Sequence, residues 1–318
     1  MKTEAGILKN VKSVEKPKQE LLKKMKKYWQ LYLFIIPALL YFLIFCYIPM
    51  YGIQLAFKEY NPVVGITKSP WIGMEHFTRF FRSYHFRTLL LNTLSLSLKQ
   101  LLFGFPIPIL LAIMLNQVRN EKFKKTVQTV TYAPHFISIV VLVGMLNIFF
   151  SIRGGLVNEV LNFLGKESIL FMGEEKYFRN LYVGSGIWQN MGWNAIIYLA
   201  ALTSVSPDLH EAAVIDGASK WKRIWHIDLP SILPTIVVLL ILNVGQIMSL
   251  GFEKAFLMQN SLNIGKSEII STYVYKIGLI NAQYGFATAV GLFNSVINFT
   301  LLIIVNKIAK KISDTSLW

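Results

Sequence analysis

The chain has 318 residues, 54% of them hydrophobic and only 15% charged, with a formal net charge of +15 and a single cysteine. A mean hydropathy of +0.48 is rare for a water-soluble globular chain and points to an integral membrane protein. The basic excess does not fit nucleic-acid binding, because the cations stand at the ends of apolar runs and in short loops, with no stripe to track phosphates. One thiol, Cys46, excludes an internal disulfide or a cysteine metal cluster, and its place in an apolar run predicts a small buried residue.

In chain order, residues 1–28 form a lysine-rich leader with nine cations, expected to lie in the cytoplasm and to be drawn to anionic lipid. The apolar run after it is too long for a signal core and has no small-residue cleavage site, so it is expected to remain as a span. A spanning helix needs about 20 apolar residues at about 1.5 Å each. Six stretches approach that length: 31–53, 89–115, 130–150, 182–205, 232–252 and 286–305. The expected fold is therefore all-α, a polytopic membrane protein with six transmembrane helices in a domain of residues 29–307, followed by a cytoplasmic tail of 308–318.

Six spans put both ends of the domain on one side of the membrane. The leader, the 116–129 loop, the 206–231 loop and the end of the chain from Lys307 hold nine, four, three and three Lys and Arg, nineteen of the 32 in the chain. The positive-inside rule then places both termini and the 206–231 loop in the cytoplasm. Prolines interrupt the first, second, third and fifth spans (Pro37, Pro49, Pro106, Pro108, Pro134, Pro234), and broken backbone in a membrane is tolerated where it is buried in protein or lines a cavity. The longer outer loops have room for short helices at the membrane surface.

The 206–231 loop is polar and locally specified. Ser206 can cap a helix opened by Pro207, Gly217 can supply the left-handed residue that ends it, and Ser219 can start another. Trp221, Ile224 and Trp225 share one side of that second helix, with Lys220, Lys222 and Arg223 on the other. Such an element docks against a partner or lies in the headgroup layer.

Glu211-Ala212-Ala213, three residues, Gly217, nine residues and Ile227-Asp228-Leu229-Pro230 resemble the signature loop of inner-membrane permease subunits of binding-protein-dependent ABC importers. Asn92-Thr93-Leu94, Tyr132-Ala133-Pro134-His135-Phe136-Ile137-Ser138, Ile196 through Leu202, Gly251-Phe252-Glu253 and Thr272 through Tyr275 are similar to the oligosaccharide and polysaccharide branch of the maltose-type carbohydrate permeases. The likeness covers about Trp29 to Lys307 and lacks the large extracytoplasmic insertion of some maltose-type members. It implies the ABC importer type I permease fold. It also implies import of oligosaccharides or polysaccharide fragments by alternating access, a second homologous permease chain as heterodimer partner, an ATPase dimer that binds ATP and Mg, and an extracytoplasmic substrate-binding protein. Under it, Glu211, Ala212, Ala213, Asp216, Gly217, Ala218, Ile227, Leu229 and Pro230 couple this chain to the ATPase. A permease for another solute class remains an alternative.

No nucleotide site is expected in the chain itself, and so no enzyme and no cofactor. The nearest phosphate-loop match, Asn260 to Ser267, lacks its leading glycine and a preceding strand. The five histidines show no metal-protease spacing. The spans hold almost no carboxylates, which disfavours an ion-coupled secondary transporter, and clustered acids or histidines that would suit a membrane-embedded enzyme on lipid-linked sugars are missing. Substrate-path candidates are Gln189, Trp193, Asn194 and Tyr198 in the fourth span, Asn243, Gln246 and Ser249 in the fifth, and Asn294, Ser295 and Asn298 in the sixth. Amides beside aromatic faces suit sugars, whose C–H faces stack while their hydroxyls need donors and acceptors. Lys99, the one cation inside a span, is expected to snorkel to the outer end.

Overall fold

The computed structural model describes residues 26–313, 316 and 317. Most of the expected leader, residues 1–25, lies outside them. The described chain is helical without a named strand, and its contacts divide it into two units, one ending at Gln54 and one from Leu55 onward.

In the first unit, helix α1 (Trp29–Tyr41) runs through a π turn (Phe42–Tyr47) into a 3-10 stretch that starts at Ile48. The helix buries no residue, and Phe34, Leu39, Phe45 and Tyr47 are all open. An apolar rod of this length is stable only in a hydrocarbon solvent. Cys46, expected to be buried, is exposed on this rod, because no other part of the unit covers it.

In the second unit a single helical turn (Gly65–Lys68) precedes the short helix α2 (Glu75–Arg82). Ser83 accepts a hydrogen bond from the Phe86 N–H at 3.2 Å and so starts α3 (Tyr84–Lys99), which continues through a π turn (Gln100–Gly104) into α4 (Pro106–Asn116). Pro106 at the first helical position needs no N–H donor, which is why the chain can resume a helix there. Asn120 caps α5 (Glu121–Tyr132), which a 3-10 turn (Ala133–Phe136) ends. Ser138 caps α6 (Ile139–Phe149), and the chain bends by 100° between the two. The third span expected over 130–150, with its interruption at Pro134, is broken at 137–138. Pro134 and the extended Ile137 end one helix, and the Gln189 side chain donates to the Ile137 carbonyl at 2.8 Å.

The short α7 (Leu156–Phe163) leads to α8 (Glu175–Thr203), the axis of the unit. Helix α8 packs most extensively on α4 and also meets α5 and α11. Gly192 permits the α5 approach, since a β-carbon there would run into the Thr131 carbonyl. Next come α9 (Pro207–Ile215), α10 (Lys220–Arg223), a π turn (Ile224–Asp228) and α11 (Leu229–Val244). The fifth span was expected to reach 252, but the helix stops at Val244 and residues 245–251 are unwound before α12 (Phe252–Met258). Helix α13 (Ile270–Tyr275) and the long α14 (Tyr284–Ser313) complete the fold, α14 running beyond the boundary expected at 307.

Among the described residues, four helical stretches are long and apolar enough to cross a bilayer, and the bent pair α5–α6 makes a fifth candidate. Helix α8 has the length, 29 residues, but does not reach the same apolarity, because it carries much of the polar lining described below. Buried apolar clusters gather around Leu96, Val143 and Phe178, around Ala112, Ala195 and Ile232, and around Phe80, Met248 and Phe286.

Candidate functional site

Two features stand out in the second unit: a cavity among the helices, and a two-helix loop at the end of α8.

The cavity measures about 440 Å³ and is lined from α3, α4, α8, α11, the unwound 245–251 stretch and α12. It follows α8 from Tyr182 to Tyr198, sixteen residues, or about 24 Å of helix axis, most of an apolar bilayer core. Tyr182, Gly186, Gln189 and Asn190 recur every three to four residues and so share one stripe of α8. Of the expected path residues, Gln189, Asn194, Tyr198, Asn243, Gln246 and Ser249 line the cavity.

Three do not. Trp193 falls on the same stripe, but its ring is stacked on His135, with centroids 4.4 Å apart and planes within 6°, and His135 is fixed in turn by Asn190 at 2.9 Å. Asn294 has a buried, unpartnered Oδ1 and lies away from the lining. Asn298 supports the wall from behind: its Oδ1 accepts from the Met248 N–H at 2.9 Å and its amide donates to Ser249 Oγ at 2.8 Å.

Unwound backbone inside a membrane must find partners for its polar groups or line a cavity. The 245–251 stretch does both. Ser97 donates to the Ile247 carbonyl, Tyr182 donates to the Gly251 carbonyl at 3.3 Å, and Asn298 holds Met248. The break at Gln100–Gly104 also lines the cavity, together with the buried Pro108. Of the prolines expected to mark a path, Pro108 alone lines the cavity.

Lys254, Gln100, Asn190 and Ser97 also line the cavity, and none of the four was among the expected path residues. Lys254 is 6% exposed, donates to the Tyr182 carbonyl at 2.8 Å and sits 4.7 Å from the centre of the Tyr182 ring. It stands just beyond a span end, where a cation usually snorkels to water, so no local pattern singles it out. The Lys99 ammonium donates to Asn180 Oδ1 at 3.2 Å and stays out of the cavity.

The two-helix loop forms as its sequence directs. Ser206 accepts from the Asp208 N–H at 3.3 Å, with Pro207 at the first helical position of α9. At the other end Gly217 has φ +73°, Gly217 N–H donates to Val214 O at 3.0 Å, and Ala218 N–H donates to Ala213 O at 2.8 Å. This pair of bonds is the Schellman ending, which needs a residue in the left-handed region. Ser219 then caps α10, accepting from Lys222 N–H at 3.4 Å.

Glu211, Ala212, Asp216 and Gly217 are exposed on this loop and Ala213 and Ala218 half-buried, flanked by the open apolar side chains of Leu209, Val214 and Ile215, the last 86% exposed. Trp221 and Trp225 are likewise open, while Ile224 packs onto the cluster around Ile232. Ile227 and Leu229 are half-buried where the loop runs into α11, and Pro230 is exposed in its first turn.

Beneath the loop lies a polar tie. Asp228 is fully buried, accepts from Gln117 Nε2 at 2.9 Å, and has His210 Nε2 3.2 Å away, a contact that becomes an ion pair when the imidazole is protonated. Three elements meet at this carboxylate: the end of α4, helix α9 and the root of α11. A buried carboxylate without such partners would be strongly unfavourable, so the tie holds all three in register.

Residues 104–314 match the family model described as the binding-protein-dependent transport system inner membrane component. The chain belongs to that family. This permease is 46% identical over 304 residues to the polygalacturonan/rhamnogalacturonan transport system permease protein YteP of Bacillus subtilis (strain 168), covering 96% of this chain and 94% of that one. It is also similar to a solved chain of a bacterial alginate ABC transporter in complex with alginate pentasaccharide-bound periplasmic protein. The TM-score is 0.87 and the identity 41%, over 93% of the permease and 99% of that chain. A second solved chain, from a bacterial ABC transporter involved in the import of the acidic polysaccharide alginate, matches with a TM-score of 0.86 and 42% identity, over 92% and 99%. The permease is thus an integral membrane subunit of a binding-protein-dependent transport system, with the ABC importer permease fold.

Proposed function

We propose that this permease moves oligosaccharides or polysaccharide fragments inward through the cavity along α8, driven by an ATPase dimer that docks on the α9–α10 loop. The observation that carries the reading is the loop itself. Its exposed apolar residues and Glu211, Ala212, Asp216 and Gly217 face outward, while Asp228 ties its base to helices that wall the cavity. Docking energy applied at Ile215 or Trp221 would reach α4 and α11 as rigid-body motion, because a buried, hydrogen-bonded tie does not yield gradually.

The sugar cargo is supported by the relatives, which are named for polygalacturonan/rhamnogalacturonan and for alginate, and by a lining of amides, Ser97 and the Tyr198 ring. A second permease chain is expected because an ATPase dimer offers two grooves and this chain offers one such loop. By the positive-inside rule both termini and the loop face the cytoplasm, and a substrate-binding protein meets the opposite side. ATP and Mg are assigned to the ATPase, and no catalytic role to this chain.

The test is an affinity purification of the full chain from native membranes, followed by uptake of labelled oligosaccharides in cells with and without the gene. Recovery of an ATPase and a second permease, with uptake lost in the deletion, is the expected result. Sugar uptake unchanged in the deletion would refute the proposal.

A further inference from the structure

The cavity holds a lysine for which the described chain supplies no counter-charge. Lys254 is 94% removed from solvent, and its described partners are one backbone carbonyl and the face of the Tyr182 ring, with no carboxylate in ion-pair range. Ion pairs among the described residues lie elsewhere, at Glu174, Asp228 and Glu268. An ammonium buried this way gives up hydration that a carbonyl and a ring only partly replace, and it retains donors with no assigned acceptor.

Space has been left for those donors. Gly186 faces the ammonium across the cavity wall, and a β-carbon there would sit 3.2 Å from Lys254 Nζ and 3.4 Å from Gln100 Oε1. Gly186, Gln100 and Lys254 all line the same cavity, beside the hydroxyl of Ser97. A buried cation, an amide and a hydroxyl around a vacant cavity make a receptor for a carboxylate carried on a hydroxylated ring. A neutral sugar would fill the same volume and leave the charge unpaired.

We propose that Lys254 pairs with a carboxylate of the transported sugar, so that the cargo is a uronic-acid oligosaccharide and Lys254 selects it over neutral sugars of the same length. The inference rests on the transport reading above. Gln100 would hold the neighbouring hydroxyls, and Gly186 keeps the approach open.

The test uses the complete transporter with its ATPase, second permease and binding protein, and follows uptake of labelled trigalacturonate and of its carboxyl-reduced counterpart. Wild type should import trigalacturonate. Lys254→Met should import it about tenfold more slowly or worse, the loss expected when a charge-assisted bond goes unmade, and Lys254→Arg should restore most of the rate. Both variants should assemble and keep binding-protein-stimulated ATP hydrolysis. Full trigalacturonate import by Lys254→Met would overturn the inference, as would equal loss of neutral and acidic uptake, or loss of assembly or ATP hydrolysis, which would mark Lys254 as a structural staple or as the counter-ion of the second permease. Wild type that imports only the neutral sugar would overturn this inference and leave the transport reading standing. Wild type that imports neither sugar, nor any other oligosaccharide, would remove the transport reading itself.

Discussion

Gly217 shows how one residue sets the shape of the two-helix loop. At φ +73° a residue with a β-carbon is strained, and a β-branched one most of all, by about 1–2 kcal/mol. Gly217→Val should therefore impair transport severely while Gly217→Asn, which tolerates the left-handed region, retains most of it; uptake measured at matched membrane levels separates the two. Equal uptake by both variants would show that the turn does not matter. Asp228 makes the complementary case for a residue proposed to transmit rather than to dock. Replacing it by Leu leaves Gln117 and His210 without their partner, at about 1–3 kcal/mol for each stranded polar group. The account expects Asp228→Leu complexes that still hydrolyse ATP but import fewer sugars per ATP, read from paired phosphate-release and uptake assays. An unchanged ratio would contradict the tie's transmitting role.

Among the elements, the loop was the most legible in sequence, because its signals are local: a serine cap, a proline at the first helical position, a glycine at the end. Six of the expected path residues also reached the cavity, since amides and aromatics in apolar spans have few places to go. What stayed hidden depends on contacts distant in sequence. The fifth span reads as one apolar run, yet it unwinds at 245–251 because Ser97, Tyr182 and Asn298 offer its backbone partners from three other helices. Trp193 likewise belongs to the polar stripe by spacing and is lost to it through a histidine 58 positions earlier. Asn298→Leu should thus lower the thermal midpoint of the purified transporter, by removing about 1–3 kcal/mol of partnering for the Met248 N–H. Gly192→Leu should lower it as well, since overpacking the α5–α8 crossing costs about 1–3 kcal/mol. Melting curves of the two variants that superpose on wild type would show that neither contact supports the fold.

At the scale of the whole molecule, the account joins an open docking loop at the end of α8 to a cavity along the same helix, through a buried carboxylate shared by α4, α9 and α11. Its central claim is that the loop meets an ATPase in the cytoplasm, and a cross-link from the most exposed apolar residue of that loop tests it most directly. Cys46 is the single native cysteine and is exposed, so the background is Cys46→Ser, with Ile215→Cys as the probe. The prediction is that a bifunctional thiol reagent in inside-out vesicles joins Ile215→Cys to an ATPase subunit and stops import. Labelling of the same position by an impermeant maleimide from outside intact cells, with no ATPase adduct, would contradict it.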